Sequence, residues 1–208
     1  MNYAEEIAYW YLRFNGFFPL INFVIHRSKL KERNSKVAKE VAVVAQRYPS
    51  DCDVLAIRPP HIYEEIGEIP GDWHDELFSF FDSRRTIGII CEVKAGGYIE
   101  KDLFEDQYVD YSLRRLGFHR NISREDLSAL NTTGSVELDE SHQVIKLFIS
   151  NTAPKSTETF RHISIANAQN FIKQRFIKYR EKQSDWVYFK STLLQDMVWK
   201  IKLERGEI

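Results

Sequence analysis

Two short segments set charged side chains against apolar runs: Asp51-Cys52-Asp53-Val54-Leu55-Ala56-Ile57 and Ile87-Gly88-Ile89-Ile90-Cys91-Glu92-Val93-Lys94. Each apolar run reads as a short buried strand. Glu92 and Lys94 have the same parity, so a strand sends both to one face and Cys91 to the other. A carboxylate and an ammonium at the rim of an apolar strand are costly to bury unless something compensates them. Asp53 abuts the first run directly; Asp51 shares its parity and is the competing acid. Asp53 and Glu92 are hard oxygen donors suited to sharing one divalent cation. Lys94 beside that cation would hold or help deprotonate an attacking water and steady negative charge on a phosphate. Taken alone, a Glu-X-Lys tripeptide is common and describes solvated strand residues, and a lone Asp describes a turn cap. The combination of tripeptide, apolar strand and upstream acid carries the chemical reading.

That arrangement resembles the PD-(D/E)XK nuclease superfamily, the restriction-endonuclease-like fold that includes Holliday-junction resolvases, Mrr-type enzymes and RecB-type exonucleases. Further residues extend the likeness. Glu5 lies on a first helix and is followed by Gly16-Phe17, and Gln107 and Tyr111 form a QxxxY pattern after the Glu-X-Lys strand. The resemblance implies a metal site of Asp53, Glu92 and the Val93 carbonyl holding Mg²⁺ or Mn²⁺. It makes Lys94 the water-orienting group, Glu5 (or Glu6, in another helix register) a supporting acid, and Gln107 and Tyr111 accessory groups. Without it, Glu5 and Glu6 are ordinary first-turn acids favoured by the helix dipole, and Tyr111 is a half-buried helix aromatic. Cys52 stands where the family name has Pro. The long interval between Asp53 and Glu92 requires an insertion.

The elements that must position these groups follow from periodicity. Residues 3–15 read as a helix with Ile7, Trp10, Tyr11 and Phe14 on one face, ended by Gly16. Residues 17–26, 54–57, 87–94 and 144–150 read as buried strands, and 163–165 as a shorter one. Residues 39–46 fit helix or strand equally. Helical spacing predicts helices over 102–116, 166–182 and 193–203, and residues 117–141 look polar and irregular. Residues 59–83 hold seven acids and no Lys or Arg, with Pro70-Gly71 as a turn and a short helix within 76–81. We read one domain over 1–208, with an acidic insertion at 59–84 and a C-terminal helical extension at 166–208. The expected fold is a restriction-endonuclease-like α/β core, a central mixed sheet flanked by helices.

Composition bounds the partners. Lys plus Arg is 29 against 30 for Asp plus Glu, which excludes an overall basic nucleic-acid coat but not a local patch. Arg27, Lys29 and Lys31 begin one basic run, and Lys173, Arg175 and Lys178 lie on the 166–182 helix. Each is a solvated face by itself and a phosphate-backbone rail beside a nuclease core. Two cysteines, neither in a Cys-X-X-Cys pair, exclude a zinc ribbon or a four-cysteine cluster within one chain and point to the cytoplasm. The six histidines show no metal-ligand spacing. Phosphate-loop, dinucleotide and nucleophile-elbow motifs are lacking. No apolar stretch is long enough for a membrane span, and Glu5 and Glu6 sit where a secretion signal would be basic. The expected function is metal-dependent hydrolysis of a nucleic-acid phosphodiester, with DNA as substrate and a homodimer allowed. The alternative is a non-catalytic nucleic-acid-binding or protein-interaction module on the same fold.

Overall fold

The computed structural model describes residues 2–24, 51–63, 65–66, 69–100, 103–118, 122–179 and 190–207. Helix α1 (Tyr3–Phe14) begins with a reciprocal cap: the Asn2 side chain accepts from the Glu5 N–H, and the Glu5 carboxylate accepts from the Asn2 N–H. This satisfies amides that have no partner within the helix. Ala4, Ile7, Ala8, Tyr11 and Leu12 form its buried side. Gly16, at φ +81°, turns the chain into β1 (Phe18–Val24), which pairs antiparallel with β2 (Asp51–Arg58).

A two-stranded ribbon, β3 (Glu65–Ile66) with β4 (Ile69–Pro70), and a short helix α2 (Asp75–Phe78) precede β5 (Thr86–Lys94). Then come α3 (Asp106–Leu116), α4 (Arg124–Thr133), β6 (Ser135–Glu137), β7 (His142–Ser150), β8 (Arg161–Ser164), α5 (Ile165–Lys178) and α6 (Thr192–Glu204). The main sheet has six strands in the order β1-β2-β5-β7-β6, with β8 also paired to β7. β2 and β5 are antiparallel, β5 and β7 parallel, so the sheet is mixed. The crossover from β5 to β7 carries α3 and α4, as parallel neighbours require.

Each face has its own apolar cluster. Val54, Ala56, Ile89, Cys91, Leu147 and Ile163 pack under α1, α5 and α6, while Leu55, Ile90, Val144 and Phe148 pack under α3 and α4. The helices of the 166–208 extension contribute to the core: Ile172, Phe176, Leu194 and Ile201 are buried in the first cluster. The stretch expected to be irregular holds α4, started by a Ser123–Asp126 capping box and ended by Gly134 at φ +74°. Among the described residues, no helix is long and apolar enough to cross a membrane. Residues 39–46 lie outside the described residues.

The acidic 59–84 segment is fixed to α1 and α5. Asn15 Oδ1 accepts from the His74 N–H at 2.8 Å, and Tyr11 Oη lies 2.6 Å from His74 Nδ1. Leu77 is buried in the first cluster and Phe78 and Phe81 pack against it. Asp72 meets the helix that was expected to be a basic rail: its Oδ1 is 2.9 Å from Lys178 Nζ, and its Oδ2 accepts from Tyr179 Oη at 2.6 Å. Arg175 is 3% exposed. It donates through Nη1 to the carbonyls of Phe14 (2.6 Å) and Asp72 (2.9 Å). Lys173 pairs with Glu204 at 2.8 Å. These three cations bind protein groups, so the expected rail on α5 is not an open one. Arg27, Lys29 and Lys31 lie outside the described residues.

Arg175 thus ties α1, the acidic segment and α5 together. Arg175→Met should cost about 2–3 kcal/mol, because two carbonyls lose a charge-assisted donor inside the fold. Lys178→Ala, at a half-exposed pair, should cost under about 1 kcal/mol. Urea denaturation of both variants checks the ranking; equal losses would remove Arg175 from its structural role.

Candidate functional site

Asp53, Glu92 and Lys94 meet where the β2–β5 ladder ends. Paired residues run from Arg58↔Ile87 to Val54↔Cys91. One step further, the Val93 N–H donates to Asp53 Oδ2 at 2.8 Å, so a side-chain carboxylate takes the place of a strand carbonyl. The chain also stops alternating there: Cys52 lies in one apolar cluster and Val54 in the other, although a regular strand puts residues two apart on the same face. That irregularity turns the Asp53 side chain toward β5.

The same Oδ2 accepts from Lys94 Nζ at 3.1 Å, and Nζ lies 2.9 Å from Glu92 Oε2. One ammonium therefore bridges two carboxylates on adjacent central strands, at an end of the sheet rather than at its lateral edge. Side-chain exposure rises from 6% for Glu92 to 19% for Asp53 and 35% for Lys94, so access to the cluster is from the Lys94 side.

Burial raises the Glu92 carboxyl above its ordinary value, and the Asp53 charge raises it further, against the pull of Lys94 and the Tyr108 hydroxyl. Burial alone would lower Lys94, but Glu92 and Asp53 together hold it above the usual lysine value. Burial pushes the Cys52 thiol up to about 12 and raises Cys91 as well. Both stay protonated near neutrality and are not nucleophiles.

Tyr108 is a residue that motif reasoning missed. Its hydroxyl donates to Cys52 Sγ at 2.8 Å and also reaches Glu92. Tyr108, Val109, Ser112, Leu113 and Leu116 form the buried side of α3, so its signal was the apolar stripe rather than the QxxxY pattern. Tyr111 is half-buried against the second cluster and makes no hydrogen bond to Asp53, Glu92 or Lys94 among the described residues. Gln107 belongs to α3, but its side chain lies outside the described residues. On the other flank, Ser150 is in register with Lys94; its Oγ donates to the Thr152 carbonyl at 2.7 Å and lies 3.0 Å from His162 Nε2.

Glu5 is not at the site. Both its carboxylate oxygens accept from Asn2 in the α1 cap. Glu6, its competitor, accepts from Ser191 Oγ at 2.7 Å. Asp51 is in β2, and its side chain lies outside the described residues. Among the described residues, no group of three or more His, Cys, Asp or Glu side chains gathers to hold a metal. Among the described residues, the acids at the cluster are Asp53 and Glu92. No protein-family model matches the chain, and neither a curated protein nor a solved structure does.

Glu92 holds its proton more tightly in the fold than in the unfolded chain. Its contribution to stability is therefore full below the ordinary Glu value of 4.5 and is lost as pH rises through the raised value. Lys94 titrates far above this window and contributes a constant. In metal-free buffer, the thermal midpoint of Glu92→Gln minus that of the wild type should grow more positive from about pH 4 to about pH 8. Melts in chelator across that range check it; a difference that shrinks with pH would show that Glu92 is not under desolvation strain.

Proposed function

We propose that this chain is a Mg²⁺- or Mn²⁺-dependent nuclease that hydrolyses phosphodiester bonds, with DNA as its substrate. The observation that carries the reading is the convergence of Asp53 and Glu92 on one cationic point at the end of the β2–β5 ladder. The setting supports the reading: the Glu-X-Lys tripeptide ends a central strand of a mixed sheet, Asp53 lies on the strand beside it, and a helix follows.

The donor set fits a hard divalent cation. Two carboxylates already share one positive charge, and burial followed by the Asp53 charge raises the Glu92 carboxyl despite that ammonium. In an antiparallel pair, a residue's N–H and C=O face the same neighbour. The Val93 carbonyl therefore lies on the Asp53 side of β5, beyond the last ladder pair. With two acids and one carbonyl, most of the coordination is left to water and phosphate, which suits Mg²⁺. Such a cation supplies neutralisation of phosphate charge and a more acidic bound water. Asp53 is held in orientation by the Val93 amide, and Glu92 by Tyr108. Lys94, released from the carboxylates, has reach to hold the attacking water and to donate to a phosphate oxygen as charge builds there.

A second reading is a non-catalytic nucleic-acid-binding or protein-interaction module on the same fold. It is favoured by the engagement of Glu5 in a helix cap and of Arg175 in the core.

A cleavage panel of linear, circular, single-stranded and branched substrates with Mg²⁺ and Mn²⁺ separates the two. The wild type should cut, and Lys94→Ala should lower the single-turnover rate by roughly 100- to 1000-fold while the metal still raises the thermal midpoint. Asp53→Asn should lose that metal response. Binding without cleavage by the wild type would hand the chain to the second reading.

A further inference from the structure

We infer that a cavity of about 380 Å³ between the loops after β5 and β7 takes an unpaired nucleobase, so that single-stranded DNA is preferred to duplex. The inference rests on the nuclease reading, which makes the bound strand a DNA substrate.

The cavity lies beside the Lys94 cluster. Its lining begins at Gly97, just past the end of β5. Tyr98, in its wall, packs on Phe148, and Phe148 is the register partner of Glu92. Paired residues of neighbouring strands share a sheet face. The cavity is therefore one strand across from the carboxylates, on their face and at their end of the sheet. Ligands of open sheets ordinarily sit beyond the carboxyl ends of parallel strands, and β5 and β7 are such a pair.

The two loops are tied to each other. The Asn151 N–H donates to the Lys94 carbonyl at 3.3 Å, and Asn151 Nδ2 donates to the Ala95 carbonyl at 2.9 Å. The Thr152 carbonyl accepts from Tyr98 Oη at 3.2 Å and from the buried Ser150 Oγ at 2.7 Å. The Lys155 N–H donates to Glu100 Oε1. The Tyr98 ring stands at 73° to Phe148 with 4.8 Å between centroids. Walls fixed beforehand leave little to order on binding. Between Lys94 and Tyr98 the backbone is bare: a Cβ on Gly96 or Gly97 would meet nothing within 4 Å. A strand has room to pass from one to the other.

The lining selects the part of a nucleotide that enters. Tyr98, Ile99 and Ala153 give apolar wall, and Ile99 is left 60% exposed. Glu100 also lines the cavity and turns phosphate away. Its second carboxylate oxygen accepts no hydrogen bond from a described residue. A nucleobase meets both demands, with a flat face for the apolar wall and an amino edge for Glu100. The phosphates stay outside with Lys94 and Lys155; Lys155 is exposed and makes no ion pair with a described residue. A base inside a duplex is stacked on both faces and paired at its edge, so it must leave the stack to enter.

Anisotropy titration of labelled oligonucleotides with the whole chain in chelator reads binding apart from cutting, and single-turnover cleavage with Mg²⁺ or Mn²⁺ reads substrate choice. A single strand should be bound and cut at least about tenfold better than the same sequence in a hairpin-closed duplex. Oligo-dC should bind better than oligo-dT, because cytosine has an amino donor where thymine has a carbonyl acceptor; Glu100→Gln should level the two. Tyr98→Ala should remove most of the single-strand preference. Ala153→Trp, at an exposed loop position that leaves the core intact, should do the same by filling the cavity. Equal cutting of single strand and duplex, equal binding of oligo-dC and oligo-dT, or an unchanged preference in both Tyr98→Ala and Ala153→Trp overturns the inference and leaves the nuclease reading standing. Single-strand binding that these variants abolish, without any cutting by the wild type, overturns the nuclease reading and leaves the cavity as a base site.

Discussion

The Lys94 ammonium between the Asp53 and Glu92 carboxylates is the contact around which the centre of the sheet is organised. Two acids on neighbouring strands repel, and one of them is almost fully buried. What holds them together is a cation 2.9 and 3.1 Å away and, for Asp53, the Val93 amide that the broken ladder leaves free. The arrangement depends on strand register. A one-residue slip of β5 against β2 would turn Glu92 and Lys94 under α1 and Cys91 toward α3. What resists that slip is the cost of carrying Glu92 and Lys94 into the apolar cluster under α1; Ile89 and Ile90, buried on opposite faces, would merely change places.

A second lysine on the same sheet face shows what the carboxylates do. Lys146 is 3% exposed and donates to the Asn131 carbonyl at 3.3 Å. Burial pulls it down to about 8, with Asp106 pulling only weakly the other way. Lys94 is only partly buried, and it is held above its ordinary value. The difference is two carboxylates in direct contact against one at longer range. Lys94 is a cation kept charged by its neighbours; Lys146 is a tie between β7 and α4 that is close to neutral ground.

Much of this was legible in the sequence where a residue's role depends on its strand or helix alone. The parity of Glu92 and Lys94, the inward Cys91, the buried strands and the first helix all follow from periods of two and 3.6. The meeting of Asp53 with Glu92 and Lys94 was legible as an expectation from motif. Its mechanism, a carboxylate replacing a ladder carbonyl, was not, because it needs the irregular step at Cys52–Val54. Glu5 was misplaced for a related reason. A first-turn acid three residues after Asn2 has a local use in the helix cap, and local hydrogen bonds form without waiting for tertiary structure. Helix α4 carried the same kind of signal in Ser123 and Asp126, which polarity masked. Tyr108 was hidden because attention to Gln107 and Tyr111 followed a pattern, whereas packing followed the stripe through Val109 and Leu113.

Charge was the least legible property, and the reason is general. A run of like charges in sequence says nothing about what faces it. The acid-rich 59–84 segment and the base-rich α5 look like two separate surfaces, and the fold puts them in contact through Asp72, Lys178 and Arg175. Cations neutralised this way contribute to the fold and have little left for a phosphate. Arg58 is the contrasting case: its guanidinium is buried against the Trp73 and Phe78 rings, with no acid beside it among the described residues. Lys94 is intermediate, since two acids hold it and a stronger cation could take them over. Pairing, rather than local density, is what separates structural from ligand-directed charge in this chain. By that measure the place where an anion would gain most is the Lys94 cluster, not the basic helix.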